Sequence, residues 1–169
     1  MQVHGFDMHR VFISGPGDLE REREAVRELI AEVNERAMES RILLVSVGLT
    51  NDDQIVGMRA AVSENVRAAA YFVQIFEDDW GPKNLFRKTF FVAVDSFHDT
   101  ALPMREIVVC LKDAPRETDP EILAFRKELE DQPGVRVVRF SSVENLREQL
   151  RPVCADWVDA IRTQTASLH

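Results

Sequence analysis

The chain has 169 residues, 45% of them hydrophobic and 30% charged, which is the composition of a single globular domain long enough to bury a sizeable core. Its 29 acidic against 21 basic side chains leave a net charge of −8, which argues against neutralising nucleic-acid phosphates or docking on an anionic membrane. Two cysteines, Cys110 and Cys154, exclude a disulfide framework and point to a reducing, cytoplasmic compartment; no leader-like apolar core opens the chain, and no apolar run approaches the roughly 18 residues of a membrane span.

Short β-branched runs alternate with longer segments of helical period. The first strand is Arg10 to Ser14, closed by Gly15-Pro16-Gly17. A charged helix from about Asp18 to Glu39 follows, with Leu19, Val26, Leu29, Ile30 and Val33 on one stripe. The second strand is Ile42 to Val47. Asn51 with Gln54 has the form of a helix cap and its reciprocal partner, and Ile55, Met58, Val62 and Val66 then share a face. The third strand is Tyr71 to Phe76, followed by the acidic loop Glu77-Asp78-Asp79-Trp80-Gly81-Pro82.

The segment Leu85 to Phe97 suits a helix through Phe86, Phe90, Val94 and Phe97, although Thr89 to Val94 alone could form a strand. The alternation of the chain selects the helix. The fourth strand is Glu106 to Leu111. A fourth helix starts near Thr118-Asp119-Pro120-Glu121, with a cap and an early proline, and ends before Pro133-Gly134. The fifth strand is Val135 to Phe140. Ser141 with Glu144 reads as a capping box for a last helix with Leu146, Leu150, Val153, Trp157 and Ile161 on one stripe; the polar tail from Thr163 is expected to fray.

Five strand–helix units imply an α/β fold, with a parallel five-stranded sheet of flavodoxin-like order 2-1-3-4-5 and helices on both faces. The expectation is one domain over 1–169 with an ordered core of about 8–162. Ligands in such sheets bind beyond the carboxyl ends of the strands, where the strand order reverses. That directs attention to the loops at Ser14 to Asp18, Gly48 to Asp53, Glu77 to Lys83 and Asp113 to Glu117.

Ser14, Gly15, Gly17 and Asp18 precede a helix, where backbone amides can cradle an anion. Asp18 and Glu20 oppose that and equally suit a tight turn whose acids complement the helix dipole. Glu77, Asp78 and Asp79 either hold ribose hydroxyls or an ion, or form a solvated turn, and Trp80-Gly81-Pro82 beside them reads as a structural corner, although a tryptophan beside a cleft can also stack on a base. The histidines His4, His9, His98 and His169 match no metal spacing, and no serine sits in a nucleophile elbow. The third helix carries phenylalanines on more than one face, which fits deep burial or an interface at Phe90 and Phe91.

The run from Val11 to Val26, VFISGPGDLEREREAV, resembles the opening of the TIR-like domain family found at the N-termini of STAND-type NTPases, distant relatives of Toll/interleukin-1 receptor domains. Asp18, Leu19, Glu22, Arg23 and Val26 fall in register with its D-[LV]-x-x-E-R-x-x-[VA] motif. Gln54, the third strand with its Trp-Gly loop, and the Ser142 to Leu146 helix start extend the likeness over nearly the whole chain. The resemblance implies a flavodoxin-like TIR fold and a role in signalling or bacterial defence, by self-association or by consuming NAD.

TIR enzymes cleave the nicotinamide bond with a Glu on the helix after strand three, since a carboxylate stabilises a ribosyl cation as in glycosidases. Here Thr89 fits the start of that helix, but Phe90 or Phe91 stands where the Glu belongs, and Ala68-Ala69-Ala70 replaces the acid before strand three. Ile13-Ser14-Gly15-Pro16 is also similar to nucleoside deoxyribosyltransferases, which need the same missing Glu.

The resemblance therefore implies a TIR-like interaction domain without efficient catalysis, acting as a homo-oligomer or as an adaptor to an NTPase or effector protein. The alternatives are an NAD glycohydrolase, using Asp95, Glu77, Asp78 or Asp79, and a nucleotide-sensing domain. In the glycohydrolase reading NAD would lie with its base near Trp80 and its phosphates near Ser14 to Gly17; the sensing reading takes NAD or a related nucleotide without cleaving it.

Overall fold

The computed structural model describes residues 2–48, 59–79 and 85–168. The described elements, in chain order, are β1 (Gln2–Val3), β2 (Phe6–Ser14), α1 (Glu20–Ala37), β3 (Ile42–Val47), α2 (Arg59–Arg67), β4 (Tyr71–Phe76), α3 (Leu85–His98), β5 (Glu106–Lys112), α4 (Pro120–Asp131), β6 (Val135–Phe140) and α5 (Val143–Ser167). Strands β2 to β6 are parallel and lie in the order β3-β2-β4-β5-β6, the flavodoxin-like arrangement. To the five expected strands the structure adds β1, which pairs antiparallel with the start of β2 through a turn in which His4 and Gly5 both have positive φ. Positive φ at both central residues is the demand of a type I′ hairpin turn.

Strand periodicity sorts the core into two layers. Val11, Ile13, Tyr71, Val73, Ile75, Val108 and Cys110 face α1 and α5. Phe12, Phe72, Phe76, Ile107, Val109 and Leu111 face α2, α3 and α4. Central strands buried on both faces read as continuous apolar runs, which is why β4 and β5 are legible. The stripe of α5 packs Trp157 flat on Tyr71, with ring centroids 4.4 Å apart.

Several boundaries differ from expectation. The cap of α5 sits one residue later than predicted: the Ser142 hydroxyl accepts from the Asn145 amide at 3.1 Å, and the Asn145 side-chain oxygen accepts from the Ser141 amide at 3.0 Å. The tail is helical to Ser167 instead of frayed, with Thr165 donating back to the Ile161 carbonyl. Regular structure thus overruns both ends of the expected core. Helix α4 begins as read, with the Asp119 carboxylate accepting from the Glu121 amide and Pro120 in the first turn. The predicted cap Asn51–Gln54, with Ile55 and Met58, lies outside the described residues; Val62 and Val66 of the same stripe are buried.

Helix α3 forms over Leu85–His98, and its aromatic surplus has a plain cause. Phe90 is 0% exposed, packed between Phe72 and Phe91, so the expectation that it lies at an interface is corrected: it is core. Phe91 is half-buried, with the Arg87 guanidinium 5.3 Å from its ring centre.

Gly48, at the end of β3, is the position where the backbone tolerates least. Its φ is +152°, and a Cβ there would fall 2.6 Å from the Ile13 carbonyl oxygen. Gly48→Ala is expected to cost about 2 kcal/mol in a denaturant titration, where an unstrained Gly→Ala change gains about 0.5. An unchanged midpoint would contradict this close approach.

Candidate functional site

The strand order reverses between β2 and β4, and the last pair in register across that seam is Ser14 with Gln74. Following the alternation from Phe12 and Phe72, both side chains point to the α2–α3–α4 face. Both residues are almost fully buried, at 2% and 1% exposure. The Gln74 amide nitrogen donates to the Ile75 carbonyl at 3.1 Å, which fixes the side chain, and among the described residues its Oε1 has no partner. The Ser14 hydroxyl has none either. Each such orphan costs about 1–3 kcal/mol, and the two stand in register at the switch point. A cavity of about 320 Å3, lined in part by Phe12, Ser46, Gly48 and Asn65, opens on the same face two residues back along β2.

The loop that leaves β2 is held from beneath. Arg23, 2% exposed, donates through Nη1 to the Gly15 carbonyl at 2.6 Å and also to the Pro16 carbonyl. The Leu19 amide closes the turn onto the Pro16 carbonyl, and Gly17–Leu19 forms a 3-10 turn leading into α1. A Cβ at Gly15 would press on Ile75 at 3.4 Å. Asp18 is exposed on this turn.

Next to Arg23, Glu22 is also buried and accepts from Lys112 at 3.0 Å; the Lys112 ammonium lies 3.6 Å from Glu77. Burial works against the charged ammonium, but Glu22 and Glu77 outweigh it and hold the Lys112 pKa above its usual value. Arg126 of α4 donates to the Glu77 backbone carbonyl at 2.8 Å. One lysine therefore ties α1, the end of β5 and the loop after β4 together.

These placements separate residues that the sequence reading grouped. Glu77 reaches Lys112, which it shares with Glu22 on the α1–α5 side of the sheet, whereas Ser14 and Gln74 face the other side. Asp95 is exposed ten residues into α3, about 15 Å along the axis from the helix start at 1.5 Å per residue. Its neighbour Phe97 packs at Gly134, just before β6 begins, so Asp95 sits at the amino end of the strands and does not join the switch point. That corrects its assignment as a carboxylate of this site. Asp78 and Asp79 are exposed beyond β4. Trp80 lies outside the described residues. Thr89, the expected start of the helix motif, is buried and donates to the Leu85 carbonyl.

Gln74, Glu22, Arg23 and Lys112 were not singled out as site residues. Gln74 had a signal, as the one polar residue within the run Tyr71–Phe76. Glu22 and Arg23 were hidden in a charged run whose helical face alone shows which members turn inward.

Cys110 and Cys154 are both buried and free. Burial raises the Cys154 thiol pKa to about 12 and pushes that of Cys110 higher still, so neither thiol is activated. Among the described residues no group of three His, Cys, Asp or Glu is placed to hold a metal, and no helix is long and apolar enough to cross a membrane.

Fold and site together define a flavodoxin-like α/β domain with a neutral polar pair at its switch point. No family model and no curated protein matches the chain.

The lysine tie has a direct test. Lys112→Met leaves the Glu22 carboxylate buried without its cation and is expected to cost about 2 kcal/mol by urea denaturation. Adding Glu22→Gln should recover more than half of that loss. A single variant as stable as the wild type would show that the tie contributes nothing.

Proposed function

We propose that this chain is a TIR-like signalling domain that recognises a nucleotide-type ligand at the switch point without cleaving it efficiently. The observation that carries the reading is the pair Ser14 Oγ and Gln74 Oε1, buried side by side with no partner among the described residues. The serine hydroxyl offers a donor and the glutamine oxygen an acceptor. A ligand fragment that presents an acceptor beside a donor, such as a ribose diol or a carboxamide, satisfies both at once. Such fragments occur in NAD and its breakdown products.

Catalysis is the weaker reading because the carboxylates that would stabilise a ribosyl cation do not converge on this pair. Glu77 is engaged by Lys112, and Asp95 stands at the other end of α3. Output by association with a second copy, an NTPase or an effector fits the family resemblance, and half-buried Phe91 is the residue of α3 best placed for it.

Gln74→Leu should stabilise the unliganded protein by about 1 kcal/mol, because an orphaned polar atom is replaced by a well-packed apolar one. For a domain of this size that is a rise in Tm of about 2–4 °C. NAD, ADP-ribose or nicotinamide should raise the Tm of the wild type, since a ligand specific for the native state stabilises it, and should leave Gln74→Leu unmoved. Nicotinamide release should stay at background in both. Failure of all three ligands to shift the wild-type Tm would overturn the binding reading; release above background would move the assignment to a glycohydrolase.

A further inference from the structure

The amino ends of the strands carry a second, larger cavity, of about 700 Å3, at the opposite edge of the sheet from the switch point. It lies between the start of β2, the turn before β4, and the loop from α3 to β5. Its volume falls within the range of small-molecule sites. Phe97, Leu102 and Met104 supply an apolar wall, and His9, Arg10 and Arg105 a polar one.

Three features set this cavity apart from an ordinary groove. His9 is 9% exposed, and its Nε2 lies 3.1 Å from an Asp7 carboxylate oxygen, which fixes the ring as part of the inner wall. Burial, with Arg105 nearby, keeps the imidazole pKa below its usual value against the pull of Asp7, so the ring is neutral at pH 7. Arg10 and Arg105 make no ion pair among the described residues. Arg136 and Arg147, by contrast, are each held by two carboxylates. Asp99, the carboxylate in the lining, accepts from the Ala101 amide at 2.9 Å, and its single negative charge is set against two guanidinium groups. In a protein of net charge −8, two arginines without ion pairs on one cavity wall form a local site for negative charge.

We propose that this cavity is a second binding site, for a small organic anion with a compact apolar body and one carboxylate or phosphate. The guanidinium groups of Arg10 and Arg105 take the anion, as their fork geometry suits both groups. The apolar body lies against Phe97, Leu102 and Met104, and His9 forms the inner wall. This goes beyond the switch-point reading and does not depend on it, since the two sites share no residue.

The experiment is an NMR titration of the full chain at fixed ionic strength. It follows the His9 imidazole, assigned with His9→Gln, and the Met104 methyl. The probes are benzoate, phenyl phosphate and neutral benzamide, each to 10 mM. Saturable shifts at His9 and Met104 are expected with at least one anion and not with benzamide; whichever anion saturates first identifies the headgroup. Arg10→Gln with Arg105→Gln should weaken that binding at least tenfold while leaving the spectrum of the core unchanged. No saturable shift with either anion, equal binding of benzamide, or undiminished binding to the folded double variant would each overturn the proposal. If the double variant does not fold, the benzoate–benzamide contrast on the wild type still decides it.

Discussion

A single buried guanidinium holds the loop on which the carboxyl edge of this sheet is organised. Arg23 is a cation placed almost wholly out of water, a costly arrangement unless its donors are engaged. Its Nη1 meets the carbonyl of Gly15 at the exit of β2 and that of Pro16, which also accepts from the Leu19 amide. The same contact places positive charge beneath a turn that carries Asp18 and leads into Glu20. The loop is thereby fixed in shape, and the chain enters α1 where Glu22 can reach Lys112. The Asp-Leu-x-x-Glu-Arg run thus has a physical explanation as scaffold: leucine to the core, glutamate to the lysine tie, arginine to the loop.

From that arrangement follows the division of the carboxyl edge into two unlike sides. The charged groups gather on the α1–α5 side, where Lys112 sits between Glu22 and Glu77. On the α2–α3–α4 side stand two neutral groups, Ser14 and Gln74, whose Oγ and Oε1 have no hydrogen-bond partner among the described residues. The alternation of side chains along a strand enforces this separation. Residues adjacent in the loops of the sequence, such as Ser14 and Glu77 at the ends of neighbouring strands, are sent to opposite faces. An acid near a serine in a list of loops is therefore no evidence for a catalytic pair.

The fold was legible because its signals are local and redundant. The bounds of Ile42–Val47, Tyr71–Phe76 and Val135–Phe140 follow from β-branched runs closed by polar or turn residues, and the Leu85 helix followed from the alternation of elements. What was misread depended on tertiary context. Ser141 and Ser142 read as equivalent caps in the sequence, and the reciprocal bonds of Asn145 with the Ser142 hydroxyl and the Ser141 amide select the second. The polar tail stays helical because α5 packs on along the α1 side, and Thr165 reaches Asp7. The β1 hairpin turns on a positive φ at His4, a residue that seldom announces one. The candidate site was less legible still. Its acids were chosen by position in the chain, and strand parity, not loop position, decides what they face.

Charge decides which chemistry each end of the sheet can accept. At the switch point the described cations are already engaged: Arg23 with loop carbonyls and Lys112 with two glutamates. A ligand there must be selected by neutral hydrogen bonds, and its charged parts must remain toward solvent. At the amino edge the position is reversed. Arg10 and Arg105 make no ion pair among the described residues, while neutral His9 and an apolar wall set the shape. An acidic protein repels anions over most of its surface, with the effect falling off over a Debye length of about 10 Å at 0.1 M salt. Only a cavity with its own unneutralised cations overcomes that repulsion. Two sites on the same pair of central strands can therefore differ in ligand class, because one has its positive charge occupied by the scaffold and the other does not.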